Sequence, residues 1–145
     1  MSDFAIHPYE GAGGIRLGMT PEQVRDLLKS EFTTFFKSPT SEMPTDAFRT
    51  LGLHVCYKKP GVCNAIEFHP KSNPLLHGRK LMGEPASKAI AVIGEFDLSP
   101  KIEYSGLTSD VLGINLYIPD LDESSEAPVK AVLIFEKGYY GGKKK

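Results

Sequence analysis

Apolar and polar positions along this chain follow two rhythms. In residues 20–28, T-P-E-Q-V-R-D-L-L, the apolar positions are Val24, Leu27 and Leu28. Glu22, Arg25, Asp26 and Lys29 fall on the other side, which is the spacing of an amphipathic helix. Thr20 is the expected N-cap, Pro21 the first helical residue, and Gln23 is placed to close a capping box. Met19 and Val24 are spaced for a hydrophobic staple, and the helix is expected over residues 21–30. A second helix is expected over residues 85–94, with Ala86, Ala89, Ile90 and Ile93 as its apolar face. Elsewhere the rhythm is that of strands, expected at 4–9, 32–36, 51–58, 62–69, 101–104, 111–118 and 129–136. Residues 11–14 read as a flexible turn, 38–45 as a loop and Pro60-Gly61 as a hairpin turn. Residues 69–83, rich in Pro, Gly, Asn and Lys, read as a connector.

This order, a helix followed by three strands, occurs twice. Leu51-Gly52-Leu53 with Val55 matches Leu112-Gly113-Ile114 with Leu116. Ala65-Ile66 matches Ala131-Val132, and Leu17 with Pro21 matches Leu81 with Pro85. The expectation is an α+β fold of two tandem helix-then-three-strand units, residues 15–70 and 79–137. Its sheet is antiparallel and its helices pack on one face. The whole is a single domain, 1–140, followed by a basic tail, 141–145, that is either solvated or a remnant of expression.

Gly18-Met19-Thr20-Pro21-Glu22-Gln23-Val24, followed by a strand layer, resembles the unit of beta-lactamase inhibitory protein. It also resembles the small lipoproteins of the outer-membrane barrel-assembly machinery. The general pattern is similar to the small immunity proteins that bacteria encode beside the toxins they deliver to rivals. In the inhibitor two such units stand in tandem, and the exposed face of their sheet grips a target enzyme. The resemblance therefore implies a protein that binds another protein.

Charge narrows the partners. The chain carries 17 basic and 18 acidic residues, so no net positive field draws it to nucleic acid. Setting aside Lys143, Lys144 and Lys145 leaves a mildly acidic body. The start, M-S-D-F-A-I-H-P-Y-E, has neither the basic nor the apolar stretch of a signal peptide. No run approaches the ~20 apolar residues of a membrane span. Two cysteines and no leader point to a reducing, cytoplasmic setting. The missing leader and acylated cysteine separate the chain from the lipoproteins, and its cysteine usage separates it from the secreted inhibitor. The intracellular immunity proteins are favoured, acting as a monomer or small homo-oligomer.

Candidate chemistry lies on the hairpin. With Pro60-Gly61 as its loop, His54 faces Glu67 and Val55 faces Ile66. One face then carries Leu53, Val55, Tyr57, Asn64, Ile66 and Phe68 and makes a floor for the helices. The other carries His54, Cys56, Lys58, Cys63, Ala65, Glu67 and His69 and looks outward. His54, Cys56, Cys63 and His69 are zinc-type donors, but their spacing matches no standard finger or ribbon, and extended strands are expected to hold them apart. The plainer reading is a His54–Glu67 cross-strand pair beside two small cysteines. No metal and no cofactor are expected. Nor is a Cys–His nucleophile, because nothing supplies a third orienting group. Gly11-Ala12-Gly13-Gly14 is not a phosphate loop, since no Gly-Lys-Ser/Thr follows. Asp120, Asp122, Glu123 and Glu126 form an acidic loop without an intervening base. Such loops are most often solvated spacers, and some present carboxylates to a basic partner. They lack the spacing of an EF-hand.

The expectation is a cytoplasmic immunity protein, not an enzyme, that occludes the active site of a cognate toxin. Asp120, Asp122, Glu123 and Glu126, with His54, Glu67 and His69, are its candidate contact residues. The alternative is a small enzyme or ligand-binding protein using the His54, Cys56, Glu67 and His69 face. A scaffold or chaperone domain is a third class.

Overall fold

The structure, a computed structural model, describes residues 2–140, and the basic tail lies outside them. Most strands form one eight-stranded antiparallel sheet. Its members are β4 (Thr33–Phe35), β5 (Thr45–Phe48), β6 (Leu53–Lys58), β7 (Val62–Phe68), β10 (Lys101–Glu103), β11 (Gly106–Ser109), β12 (Ile114–Tyr117) and β13 (Ala131–Phe135). The strand order is β10-β11-β12-β13-β7-β6-β5-β4. A smaller sheet of β1 (Ser2–His7), β2 (Gly11–Ala12), β3 (Ile15–Arg16), β8 (Ser72–Leu76) and β9 (Arg79–Lys80) has the order β3-β2-β1-β8-β9. Its β1–β8 pair is parallel, and every pair in the large sheet is antiparallel. The α+β fold with antiparallel central strands is as the sequence implies. The expected helix-plus-three-strand count is not: each helix is followed by four strands of the large sheet, and the small sheet belongs to no repeat.

Helix α1 (Pro21–Leu28) starts as its sequence dictates. The Thr20 hydroxyl accepts from the Gln23 N–H at 3.2 Å, and the Gln23 side chain accepts from the Thr20 N–H at 2.9 Å. It stops at Leu28, two residues early, with Lys29 in the left-handed conformation. Val24 is fully buried and Leu28 packs at the core margin, but Leu27 is 43% exposed. Leu27 therefore does not join the core as its spacing suggests. The helix is only eight residues long, and Leu27 lies over Gly14, in the turn of the β2–β3 hairpin. Helix α2 (Ala86–Gly94) buries Ala86, Ala89, Val92 and Ile93. No described helix is long and apolar enough to cross a membrane.

One core holds these layers together. Val24 and the α2 residues cluster with Leu53, Val55, Ile66 and Phe68, and with Ile114, Leu116, Val132 and Ile134. Phe4 of β1 packs on Phe68, ring centroids 5.3 Å apart, so the small sheet covers the same face as the helices. The Gly11–Gly14 stretch is a hairpin rather than a loose turn. Gly11 (φ +150°) sits so close to Ile15 that a Cβ would collide with its carbonyl oxygen.

The connector at 69–83 contains β8 and β9, and the buried β5 starts at Thr45, the last residue of the expected loop, and runs through 46–48, where no element was expected. The β6–β7 register follows the expected pairing for Leu53–Phe68, His54–Glu67, Val55–Ile66 and Cys56–Ala65. It then slips by one residue, pairing Tyr57 with Cys63 across a bulge. The slip moves Cys63 into the core cluster and takes Asn64 out of it, the reverse of the expected sorting.

Candidate functional site

The second face of the large sheet is uncovered by helices. One row crosses all eight strands: Lys101, Thr108, Asn115, Leu133, Glu67, His54, Ala47 and Thr33 are successive cross-strand partners. To one side Phe135 gathers Tyr9, Tyr139 and Tyr140, at centroid distances of 6.2, 5.4 and 5.1 Å. These aromatics close over Cys56 and Ala65.

At the middle of the row the polar residues converge. His54 and Glu67 are directly opposed, and His69 follows Glu67 by two residues, so it shares the face. The His69 N–H donates to the Gly52 carbonyl at 2.8 Å, extending the ladder past the end of β7. His54 Nδ1 is 3.5 Å and His69 Nε2 3.4 Å from Glu67 Oε1, and Lys37 Nζ donates to that oxygen at 3.1 Å. The two imidazoles lie 4.5 Å apart, and Phe35 meets His54 edge-on at 5.2 Å. The expectation that the strands keep His54, Cys56, Cys63 and His69 apart fails for the two histidines, which with Glu67 place their ligand atoms within 4.8 Å of one another. It holds for the cysteines: Cys56 lies outside the cluster and Cys63 faces the core.

The electrostatics follow from this packing. Glu67 is held down at about 2, mainly by His69 and then by Lys37, against the effect of its burial. Burial, with His69 beside it, lowers the His54 pKa and favours the neutral ring. Burial pushes the Cys56 thiol up, which disfavours a reactive thiolate. His54 Nδ1 and His69 Nε2 are buried, and at 3.5 and 3.4 Å from Glu67 Oε1 neither makes a well-formed hydrogen bond among the described residues. Each such atom costs ~1–3 kcal/mol unless something satisfies it. The adjoining cleft, which includes Lys37, Thr45, Cys56, Asn64 and Tyr139, holds about 230 Å³. That is less than the ~300–1,000 Å³ usual for small-molecule pockets.

No known family, curated protein or solved structure matches the chain.

The acidic loop lies elsewhere. Leu121, Ala127 and Val129 pack into the core on the helix side. The Ala86 and Ser87 N–H groups of α2 donate to Ala127 and Ser125 carbonyls, each at 2.8 Å. The Glu126 carboxylate accepts from the Ser87 hydroxyl at 3.0 Å, so the loop folds onto the start of α2. Asp120, Asp122, Glu123 and Glu126 are exposed, and none is ion-paired among the described residues. The acids and the His54–Glu67–His69 group are on opposite sides of the large sheet and do not form one patch.

Lys37 is not among the residues expected at this site. The signal for it was parity: Phe35 and Lys37 are two residues apart, so they share a face if the strand rhythm runs past Phe35.

Proposed function

We propose that the protein is a cytoplasmic immunity protein that binds a cognate bacterial toxin and occludes its active site. The observation that supports this most is the state of the acidic loop. Its four carboxylates are exposed and none is ion-paired among the described residues, yet their backbone is already ordered. Glu123 and Ser124 N–H groups donate to the Asp120 carbonyl at 3.0 and 3.2 Å, and Ala127 donates to Ser124 at 3.1 Å. A prefolded charged loop loses little entropy on docking. Its charge speeds the approach of a basic partner and rejects acidic ones. Toxins that handle nucleic acid or phosphorylated cofactors need basic clefts, and a carboxylate cluster competes there with the natural anion.

The test is protection. Cells made to express a candidate toxin from the neighbouring reading frame should survive when the chain is present. The variant D120N/D122N/E123Q/E126Q should protect less while melting at the same temperature. Failure of the native chain to protect, or full protection by the variant, overturns the reading.

The convergence of His54, Glu67 and His69 favours a second reading, a ligand-binding role for the open sheet face. Cys56 contributes little to it, being buried and protonated.

A further inference from the structure

We infer that His54, Glu67 and His69 bind a divalent first-row transition-metal cation, best matched by zinc, on the open face of the large sheet. Two distances carry the geometry: His54 Nδ1 and His69 Nε2 lie 3.5 and 3.4 Å from the same Glu67 oxygen. In a tetrahedral zinc site with bonds of ~2.0–2.1 Å, neighbouring donors stand about 3.3 Å apart. All three ligand atoms lie within 4.8 Å of one another, so small ring rotations complete the triangle.

The second observation is the burial of those same nitrogens. The two nitrogens that face the carboxylate are the same two that are buried and make no well-formed hydrogen bond among the described residues. A cation between them takes both lone pairs and a carboxylate oxygen, and leaves neither nitrogen unsatisfied. Two imidazoles and one carboxylate suit zinc, and also iron, cobalt, nickel or copper, rather than magnesium or calcium.

The scaffold holds the donors in register. His54 and Glu67 are a direct cross-strand pair. The His69 backbone is held on both sides, its N–H donating to the Gly52 carbonyl at 2.8 Å and its carbonyl accepting from the Ser72 N–H at 2.9 Å. The donor side chains are 22%, 26% and 36% exposed, which leaves a solvent-side position for water or an added ligand.

Lys37 is the built-in competitor. Its ammonium touches the oxygen that a metal would use, and its side chain is 40% exposed, free to swing away. Removing that ammonium should therefore strengthen metal binding, which a merely structural ion-pair cluster would not do. The site stands independently of the proposed toxin contact, which uses the other side of the sheet.

The experiment is a zinc titration of the chelator-treated full chain by calorimetry, with the ring resonances of His7, His54, His69 and His77 followed by NMR. About one zinc per chain should bind, moving His54 and His69 and leaving His7 and His77 in place. H54Q and H69Q should each weaken binding by about tenfold or more, and K37M should tighten it. Absence of saturable binding, shifts at His7 or His77 instead, or undiminished affinity in both histidine variants would overturn the assignment. The native resonances decide the matter even if a variant fails to fold.

Discussion

Arg25 shows how far helical spacing reaches at the scale of one residue. Position along α1 puts it on the polar side, yet it turns under the helix onto Asp46 of β5. Its Nε and Nη2 donate to the two Asp46 oxygens, both at 2.9 Å, and the Tyr57 hydroxyl donates to Oδ2 at 2.9 Å. The Asp46 side chain is 1% exposed, so this carboxylate depends on its partners. Arg25→Ala should destabilise the fold by ~3–5 kcal/mol, measured by denaturant unfolding, because it leaves a buried charge uncompensated. A loss within about 0.5 kcal/mol would mean that the pair is solvated.

The thiols are the other residue-scale test. Cys63 is 1% exposed, and burial pushes it from its ordinary 9.0 up to about 12. The unfolded chain gives up this proton first. Stability should be at its full value below about pH 9 and decline as the pH rises towards 12. Cys63→Ala should flatten that decline in unfolding midpoints, and the native thiols should react slowly with a disulfide reagent at neutral pH. Rapid reaction of both thiols in the folded protein would contradict the placement.

Among the elements, the β6–β7 hairpin was the most legible, since strict alternation and a Pro-Gly turn leave few registers open. Its bulge was not legible, because no residue type demands the slip, and only the finished pairing shows it. β5 was hidden by Asp46, which is unfavourable in a strand until Arg25 and Tyr57 satisfy it. β8 was hidden by Pro74. β9 reaches only Leu75 and Leu76, which leaves that edge of β8 open at the proline. In α1 the wheel identified the stripe but not its centre. Val24→Ala should cost about 2 kcal/mol and Leu27→Ala under about 1 kcal/mol, as compared by thermal melts of the two variants. The opposite ranking would mean that the helix is rotated.

For the whole molecule, layer order was readable and contact between distant residues was not. Apolar periodicity sufficed to put helices on one face of an antiparallel sheet. The candidate site needed the pairing register: His54 and Glu67 follow from the hairpin, whereas Lys37 enters only through β4 and β5. The acidic loop was visible as a charge cluster, but its fold onto α2, away from the histidines, depends on tertiary hydrogen bonds with no local signature. The two proposed contacts therefore use separate surfaces: a carboxylate loop for a basic protein partner and a histidine–carboxylate centre on the open sheet.

A titration decides whether the carboxylate loop binds a basic protein partner. The chain and its D120N/D122N/E123Q/E126Q variant are each titrated against the toxin identified by the protection test, at low and high salt, beside thermal melts. The native chain should bind saturably and more weakly as salt rises. The variant should bind more weakly, with a flatter salt dependence and an unchanged melt. No binding by the native chain, or equal affinity and salt slope in the two proteins, would contradict that contact.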